Sequence, residues 1–153
     1  MLLPTVRYVF VYGTLRRGEP RDINLLRPQP RWVGLGGIRG ALYDLGTYPG
    51  VVLDAGAVEG AAGVVRGEVY AIAPALEQLL DQIEEVWPQQ TGEYTRREVA
   101  VTLDNPPPDL PRHETCTPRI VTCLVYDIDA ARSKGRFLIA DGDWVEHRLK
   151  LAS

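Results

Sequence analysis

The residues best suited to chemistry are acidic side chains on one predicted helix, "PALEQLLDQIEEVW" at residues 74–87. Proline suits the first turn of a helix, and apolar residues recur here at every third or fourth position. Glu84 follows Leu80 by four residues and therefore borders the buried face. A carboxylate partly removed from water has a raised pKa and can transfer protons near neutral pH. The periodicity leaves open that this acidic flank simply faces solvent.

A turn after the first predicted strand is the second candidate. The strand "VFVY" runs directly into Gly13, Thr14 and Leu15. Glycine lets the backbone approach a ligand or adopt a positive φ, and successive free N–H groups form an anion-binding nest. An ordinary exit from a strand is the alternative. Neither of the two common glycine-rich nucleotide-binding motifs occurs.

The segment "EYTRREV" places Tyr94 and Arg96 on the same side of a predicted strand. A tyrosine hydroxyl and an arginine could both hold a carboxylate, although half-buried strand residues are the alternative. We expect Arg16 and Arg17, in the turn, to be solvated. The later "GDW" segment predicts a structural corner with Trp144 in the core.

The rest of the sequence predicts short strands bent by glycines rather than alternating strands and helices. Such strands are typical of a closed or nearly closed barrel against which a helix packs. The 153 residues suit a single domain, expected to cover residues 1–153. The predicted strands cover residues 6–11, 32–45, 51–53, 64–72, 93–103 and 120–128, and a short helix or irregular tail closes the chain.

Composition excludes several function classes. The net charge of −3 and the pI near 5.4 argue against a nucleic-acid binder. Apolar runs are too short for a membrane span, and the first residues do not form a signal peptide, so we expect a cytoplasmic protein. The cysteines, Cys116 and Cys123, and the histidines, His113 and His147, do not follow a metal-ligand pattern.

Six short motifs occur in an order that resembles the gamma-glutamylcyclotransferase-like family, nearest its gamma-glutamylamine cyclotransferase and avirulence-induced-gene-2-like (AIG2-like) branch. They are "VYGTL", "ALYDLGTYPGVV", "GEVY", "LDQIE", "YTR" and "LVYDID" with its trailing "DGDW". The resemblance implies an α+β fold, a six- or seven-stranded mixed β-barrel with one main helix packed against it. It also implies conversion of a gamma-glutamyl amine or amino acid to 5-oxoproline, with release of the amine and no cofactor.

The resemblance assigns site residues as well. The glutamate of "LDQIE", Glu84, is the implied acid/base catalyst. The implied substrate-binding residues are Tyr12, Gly13, Thr14, Leu15, Tyr48, Tyr94 and Arg96. The expected partner is a small gamma-glutamyl compound, with no nucleic acid or membrane, and the chain is expected to be a monomer or homodimer.

Departures from the family pattern leave other functions open. Arg21, Asp22 and Glu85 stand where many relatives have other residues, and a proline-rich insert occupies residues 105–118. A non-catalytic protein that binds a small molecule in the same fold is one alternative, since fold alone does not determine function. Removal of a gamma-glutamyl protecting group from a larger biosynthetic substrate is another.

Overall fold

The computed structural model describes residues 7–46, 48–53, 63–84, 94–104 and 119–152. Seven strands and two helices occur in these ranges, and single turns of 3₁₀ helix lie at Ile23–Leu25 and Ala130–Ser133. The strands are β1 (Arg7–Val11), β2 (Arg31–Asp44), β3 (Pro49–Leu53), β4 (Gly63–Ile72), β5 (Tyr94–Leu103), β6 (Arg119–Ile128) and β7 (Phe137–Leu138). The helices are α1 (Pro74–Ile83) and α2 (Trp144–Ala152).

Five of the strands close into a barrel in the order β2, β4, β1, β6, β5 and back to β2. Strands β1 and β6 are parallel, and every other pair around the ring is antiparallel. Strands β3 and β7 lie outside the ring and pair with β2. The predicted mixed β-barrel with a packed helix is therefore confirmed.

Closure of the barrel depends on a glycine in β2. Gly36 pairs with Leu103 where β2 meets β5. A Cβ atom on Gly36 would lie 2.9 Å from a methyl group of Val101 and 3.0 Å from the carbonyl oxygen of Thr102. The absence of a side chain therefore lets the two strands approach closely enough to pair.

Two apolar clusters lie on opposite faces of the barrel wall, because successive strand residues point to opposite sides. Phe10, Tyr12 and Val125 belong to the cluster that fills the barrel interior. Their neighbours in the strands pack outside the barrel, against Leu76 and Leu80 of α1. Helix α1 is thus fixed to the outer face of β1, β4 and β6.

Several element boundaries differ from the sequence-based predictions. Helix α1 ends at Ile83 rather than Trp87, and residues 85–93 and the proline-rich insert lie outside the described residues. Strand β3 begins at Pro49, within the predicted loop, because Pro49 already pairs with Asp44. The predicted tail is a short strand followed by α2. Of the helices described, none is both long and apolar enough to cross a membrane.

Candidate active site

Glu84 lies at the C-terminal end of α1, directly after the helix. Its amide donates a hydrogen bond to the carbonyl oxygen of Leu80 over 2.9 Å, and Leu80 is fully buried against the barrel. The Glu84 side chain is half-buried. Burial is the main cause of the raised pKa values of Tyr12 and Tyr126, and the charge of Glu84 raises both further. The Glu84 carboxylate therefore lies close to the ends of β1 and β6.

Tyr12 joins three strands at this end of the barrel. Its hydroxyl group donates a hydrogen bond to the Tyr126 carbonyl oxygen over 2.6 Å and accepts one from the Val51 amide over 3.3 Å. Burial raises the pKa of Tyr12 well above its ordinary value, and Tyr94 and Glu84 raise it further. Tyr12 is therefore a neutral, buried hydroxyl with a fixed orientation.

The other two predicted tyrosines lie beside the start of β3. The Tyr94 hydroxyl donates a hydrogen bond to the Pro49 carbonyl oxygen over 2.7 Å. The ring centroids of Tyr48 and Tyr94 are 6.4 Å apart, and both side chains are half-buried. The fold therefore places all three predicted tyrosines and Glu84 at the same end of the barrel.

Gly13 is a glycine because a proline packs against it. A Cβ atom here would lie 2.6 Å from Cγ and 2.8 Å from Cδ of Pro49. Its φ is not in the positive region, so the close approach of Pro49, rather than an unusual backbone conformation, requires glycine. The contact holds the turn after β1 against the start of β3.

The turn uses its carbonyl groups and leaves its amides unbonded. The carbonyl oxygens of residues 13–15 accept hydrogen bonds from the amides of Arg16, Arg21 and Ile23, respectively. Within the part of the chain that the structure describes, the amides of residues 13–15 have no hydrogen-bond acceptor. These three N–H groups are the donors of the predicted anion-binding nest, and their contact with a ligand stays a prediction.

Arg16 anchors the turn through ion pairs with Glu68 and Asp143. Its guanidinium donates to Glu68 over 3.1 Å and to Asp143 over 2.9 Å, and its side chain is only 10% exposed. Glu68 also accepts a hydrogen bond from the Arg17 amide. The prediction that Arg16 is solvated is wrong, whereas Arg17 is exposed and lies over the Trp32 ring.

Glu19 connects the same loop to α2. Its buried carboxylate accepts hydrogen bonds from the Trp144 indole over 3.2 Å and from the Arg148 guanidinium over 3.0 and 2.6 Å. Trp144 is buried, as predicted. Sequence reasoning missed the roles of Glu19 and Glu68. An acidic residue inside the otherwise apolar strand "GEVYAI" was the available signal for Glu68.

Arg96 holds α1 to β5. Its guanidinium donates to Asp81 over 2.5 Å and to Glu77 over 2.7 Å. Burial alone would raise the pKa of Glu77, but hydrogen bonds from Arg96 and Arg7 lower it below its ordinary value. Glu77 and Asp81 therefore share one flank of the helix. The predicted contact of Arg96 with a substrate stays a prediction.

Asp127 is a buried acidic residue at this end of the barrel that sequence reasoning did not single out. One carboxylate oxygen accepts a hydrogen bond from the Arg97 guanidinium over 3.0 Å. The other, Oδ1, is buried and has no hydrogen-bond partner among the described residues. Burial raises the pKa of Asp127, although Arg97 opposes this shift. Its position in "LVYDID", two residues after the buried Val125, was the available signal.

No metal centre is apparent in the ranges that the structure covers, where no three His, Cys, Asp or Glu side chains gather closely enough to hold an ion. The chemistry available at the site is instead proton transfer by a carboxylate and hydrogen bonding by backbone amides and tyrosine hydroxyls. This combination suits the cleavage or rearrangement of an amide bond.

Comparisons with known proteins agree with this fold. A putative gamma-glutamylcyclotransferase of Vibrio cholerae is 42% identical over 78 residues, which cover 51% of this chain and 62% of the relative. The crystal structure of YkqA from Bacillus subtilis superposes with a TM-score of 0.66 at 25% identity. That match covers 97% of this chain and 43% of YkqA, so this chain spans less than two thirds of either protein.

An AIG2-like protein from Mus musculus has the same fold. Its crystal structure superposes with a TM-score of 0.60 at 23% identity, covering 82% of this chain and 78% of the mouse chain. The family model described as "Gamma-glutamyl cyclotransferase, AIG2-like" matches residues 9–146, from the first strand to the start of α2. This match spans the turn after β1, Glu84 and the "GDW" corner. The chain therefore belongs to the gamma-glutamyl cyclotransferase, AIG2-like family.

Proposed function

We propose that this protein is a cyclotransferase that converts a gamma-glutamyl amine or gamma-glutamyl amino acid to 5-oxoproline and releases the amine. One observation carries the proposal. Glu84 lies near Tyr12 at the end of the barrel, and the three residues after Tyr12 have amides without an acceptor in the described structure. The reaction requires a carboxylate and free amide donors at one end of the barrel, and the chain belongs to a family named for it.

The reaction is intramolecular. The α-amine of the substrate attacks its γ-carbonyl carbon, a new C–N bond closes the five-membered ring, and the original amide C–N bond breaks. Water is not consumed. Because the nucleophile is tethered to its target, correct orientation alone corresponds to an effective molarity of about 10⁵–10⁸ M. The protein therefore has to select the folded-back conformer and manage two proton transfers.

Glu84 is the proposed acid/base catalyst for both transfers. Its carboxylate removes a proton from the substrate α-ammonium group, which makes the amine nucleophilic. The resulting carboxylic acid then gives this proton to the departing amine nitrogen. The ring nitrogen still carries one proton too many after the attack, and Glu84 passes that second proton to the released amine, which departs as an ammonium ion. Proton transfer by one positioned side chain typically contributes about 10²–10⁴-fold to the rate. The half-buried position of Glu84 suits this role, because it is neither fully solvated nor sealed from a ligand.

The amides of residues 13–15 are the proposed donors to the developing oxyanion and to the substrate α-carboxylate. Donors that are already oriented before reaction stabilise charge most effectively, and the loss of one costs about 10²–10³-fold. The buried ion pairs of Arg16 and Glu19 keep the turn in one conformation. Tyr12, Tyr48 and Tyr94 complete the proposed pocket wall.

The test is 5-oxoproline release from a panel of gamma-glutamyl amines and gamma-glutamyl dipeptides. We expect turnover by the wild-type protein and a loss of at least about a hundredfold in Glu84→Gln. Glu98→Gln removes an exposed carboxylate from β5 and serves as the matched control, which we expect to remain active. Ligand binding without 5-oxoproline release from any substrate would instead favour a non-catalytic binding protein.

A further inference from the structure

Tyr126 of β6 is hydrogen-bonded to both of the segments that carry the proposed catalytic groups. Its carbonyl oxygen accepts a hydrogen bond from the Tyr12 hydroxyl over 2.6 Å, and its own hydroxyl donates one to Asp81 Oδ1 over 2.6 Å. Both bonds are buried. Tyr12 directly precedes the amides of residues 13–15, and Asp81 lies in the helical turn before Glu84. One residue therefore connects the turn after β1 to the end of α1.

Asp81 is a buried charge on the face of α1 that packs against the barrel. Its Oδ1 accepts a hydrogen bond from Tyr126, and its Oδ2 accepts one from Arg96 over 2.5 Å. An apolar side chain of similar volume is often as stabilising as a buried ion pair. Apolar packing has no preferred direction, whereas two hydrogen bonds fix the rotation and the height of the helix. The carboxylate of Asp81 therefore fixes the position of α1 rather than adding stability.

The bond between Tyr126 and Asp81 acts on the part of α1 that carries Glu84. Residues three apart in a helix are neighbours on its surface. Burial, the hydrogen bond to Asp81 and the charge of Asp81 raise the pKa of the Tyr126 hydroxyl, and the charge of Glu84 raises it further. The Glu84 carboxylate therefore lies close to this hydroxyl. Because helix ends fray first, a bond at Asp81 restrains Glu84 more than a bond near the start of α1 does.

The backbone of Tyr126 restrains the turn after β1. The Tyr12 hydroxyl is held between the Tyr126 carbonyl oxygen and the Val51 amide. Tyr126 is itself held in the sheet, where it pairs with Arg96 of β5. The amides of residues 13–15 therefore follow a residue whose side chain is fixed to β6, the same strand that holds the end of α1.

We propose that Tyr126 and Asp81 are positioning residues, whose hydrogen bond sets the distance between Glu84 and the amides of residues 13–15. The inference rests on the proposed function and adds two residues that serve it. Both residues are 4% exposed, so they act through Glu84 rather than on the substrate. A displacement of about 1 Å can cost about 10²-fold in rate, so a small shift of the helix end is measurable.

Removal of the Tyr126 hydroxyl leaves the helix attached to the barrel. Arg96 still binds Asp81 and Glu77, and Leu80 still packs against the strands. The carbonyl group that holds Tyr12 is also kept, because it belongs to the backbone. We therefore expect Tyr126→Phe to fold and to bind substrate, while the end of α1 is less restrained.

The first measurement is 5-oxoproline release by Tyr126→Phe, with the rate divided by the folded fraction from circular dichroism. We expect kcat to fall by about fivefold or more, because Glu84 is displaced from the reacting atoms. We expect KM to change by less than about twofold, because proton transfer rather than ground-state binding is affected. A smaller loss of kcat, or a larger change in KM, overturns the inference.

The matched control is Glu77→Gln. It removes another carboxylate of α1 that binds Arg96, but Glu77 lies about two turns before Glu84. We expect kcat to fall by less than about twofold in this variant. A larger loss would show that any weakening of the contact between α1 and β5 slows the reaction, and the specific role of Tyr126 and Asp81 would be wrong.

Hydrogen exchange separates the inference from catalysis. The Glu84 amide donates its hydrogen bond to the Leu80 carbonyl oxygen. We expect its exchange, measured by NMR under native conditions, to be about tenfold or more faster in Tyr126→Phe and little changed in Glu77→Gln. If no substrate yields 5-oxoproline but exchange is faster as expected, the proposed reaction fails and the restraint on the helix end stands. If the wild type is active and exchange is not faster, the inference fails and the proposed function stands.

Discussion

Two acidic regions of this protein use their carboxylates in opposite ways. In the anchored loop, which we define as residues 13–22, buried charges are paired and hydrogen-bonded. Glu19 alone accepts three hydrogen bonds. At the barrel end, which we define as Glu84, Tyr12 and Asp127, one buried carboxylate oxygen has no donor within the described structure. Paired charges build the scaffold, whereas the barrel end keeps a buried carboxylate oxygen to which no described group donates.

The comparison also explains how side chains that never touch the substrate can serve the reaction. The charged side chains of the anchored loop form ion pairs that connect the loop to β4 and to α2. Its backbone groups without an acceptor in the described structure are the amides of residues 13–15. A loop that presents amides needs a fixed conformation, and buried ion pairs provide one at the cost of removing their charges from water.

The largest expected effect tests the barrel end. Glu84→Gln keeps the shape of the side chain but cannot take a proton, so turnover should fall by at least about a hundredfold. The free energy of unfolding and the substrate affinity should change little. Release of 5-oxoproline under saturating substrate measures the effect.

Glu85→Gln sharpens this test, because Glu85 is adjacent and should matter little. Full activity in purified Glu84→Gln would remove the proposed mechanism. Loss of activity in Glu85→Gln alone would show that the catalytic assignment is displaced by one residue.

The next effect tests the anchored loop. Arg16→Met removes the guanidinium and leaves the buried Glu68 and the half-buried Asp143 without their cation. Removing one partner of a buried ion pair typically costs about 3–5 kcal/mol in the free energy of unfolding. Urea denaturation measures this loss, and 5-oxoproline release should fall as well because the turn is displaced.

Lys150→Met is the control for Arg16→Met. It breaks an exposed ion pair with Asp141, and such pairs contribute about 0–1 kcal/mol. Equal losses of stability in the two variants would show that burial does not distinguish the anchored loop from the surface.

A smaller effect tests the contact between the turn and β3. Gly13→Ala places a methyl group within 3 Å of the Pro49 ring. Overpacking of this kind typically costs about 1–3 kcal/mol, and the shift should also lower kcat. Gly63→Ala is the matched control, because its Cβ would meet nothing within 4 Å. If Gly13→Ala has unchanged stability and kcat, the position of the turn does not depend on this contact.

The smallest effect is that of Asp127 on the free energy of unfolding. Its pKa is raised in the folded protein, so ionisation favours the unfolded state once the pH exceeds the ordinary value of about 3.9. Asp127→Asn should therefore be slightly more stable than the wild type at pH 7. The advantage should shrink as the pH falls below about 4, where both side chains are neutral. Urea denaturation at pH 7 and pH 3.5 measures the difference in stability between Asp127→Asn and the wild type. A variant less stable than the wild type at pH 7 would contradict the prediction.

Much of the architecture could be predicted because it depends on local periodicity. The spacing of Leu76 and Leu80 predicted the buried face of α1, and alternation predicted that Tyr94 and Arg96 share a side. Helix and strand ends were less predictable, because they depend on pairing with distant segments. Pro49 belongs to β3 only because Asp44 lies opposite it.

The sequence by itself determined the family, the barrel and the identity of Glu84 as the candidate acid/base, since motifs and periodicity are properties of neighbouring residues. Only the tertiary structure decided which charged side chains are buried in ion pairs and which are not. Arg16 reads as a surface residue until Glu68 and Asp143, 52 and 127 positions away, are placed against it. Asp127 reads as an ordinary strand residue until the barrel closes around it. Electrostatic pairing and desolvation depend on distances in space, which the order of residues does not contain.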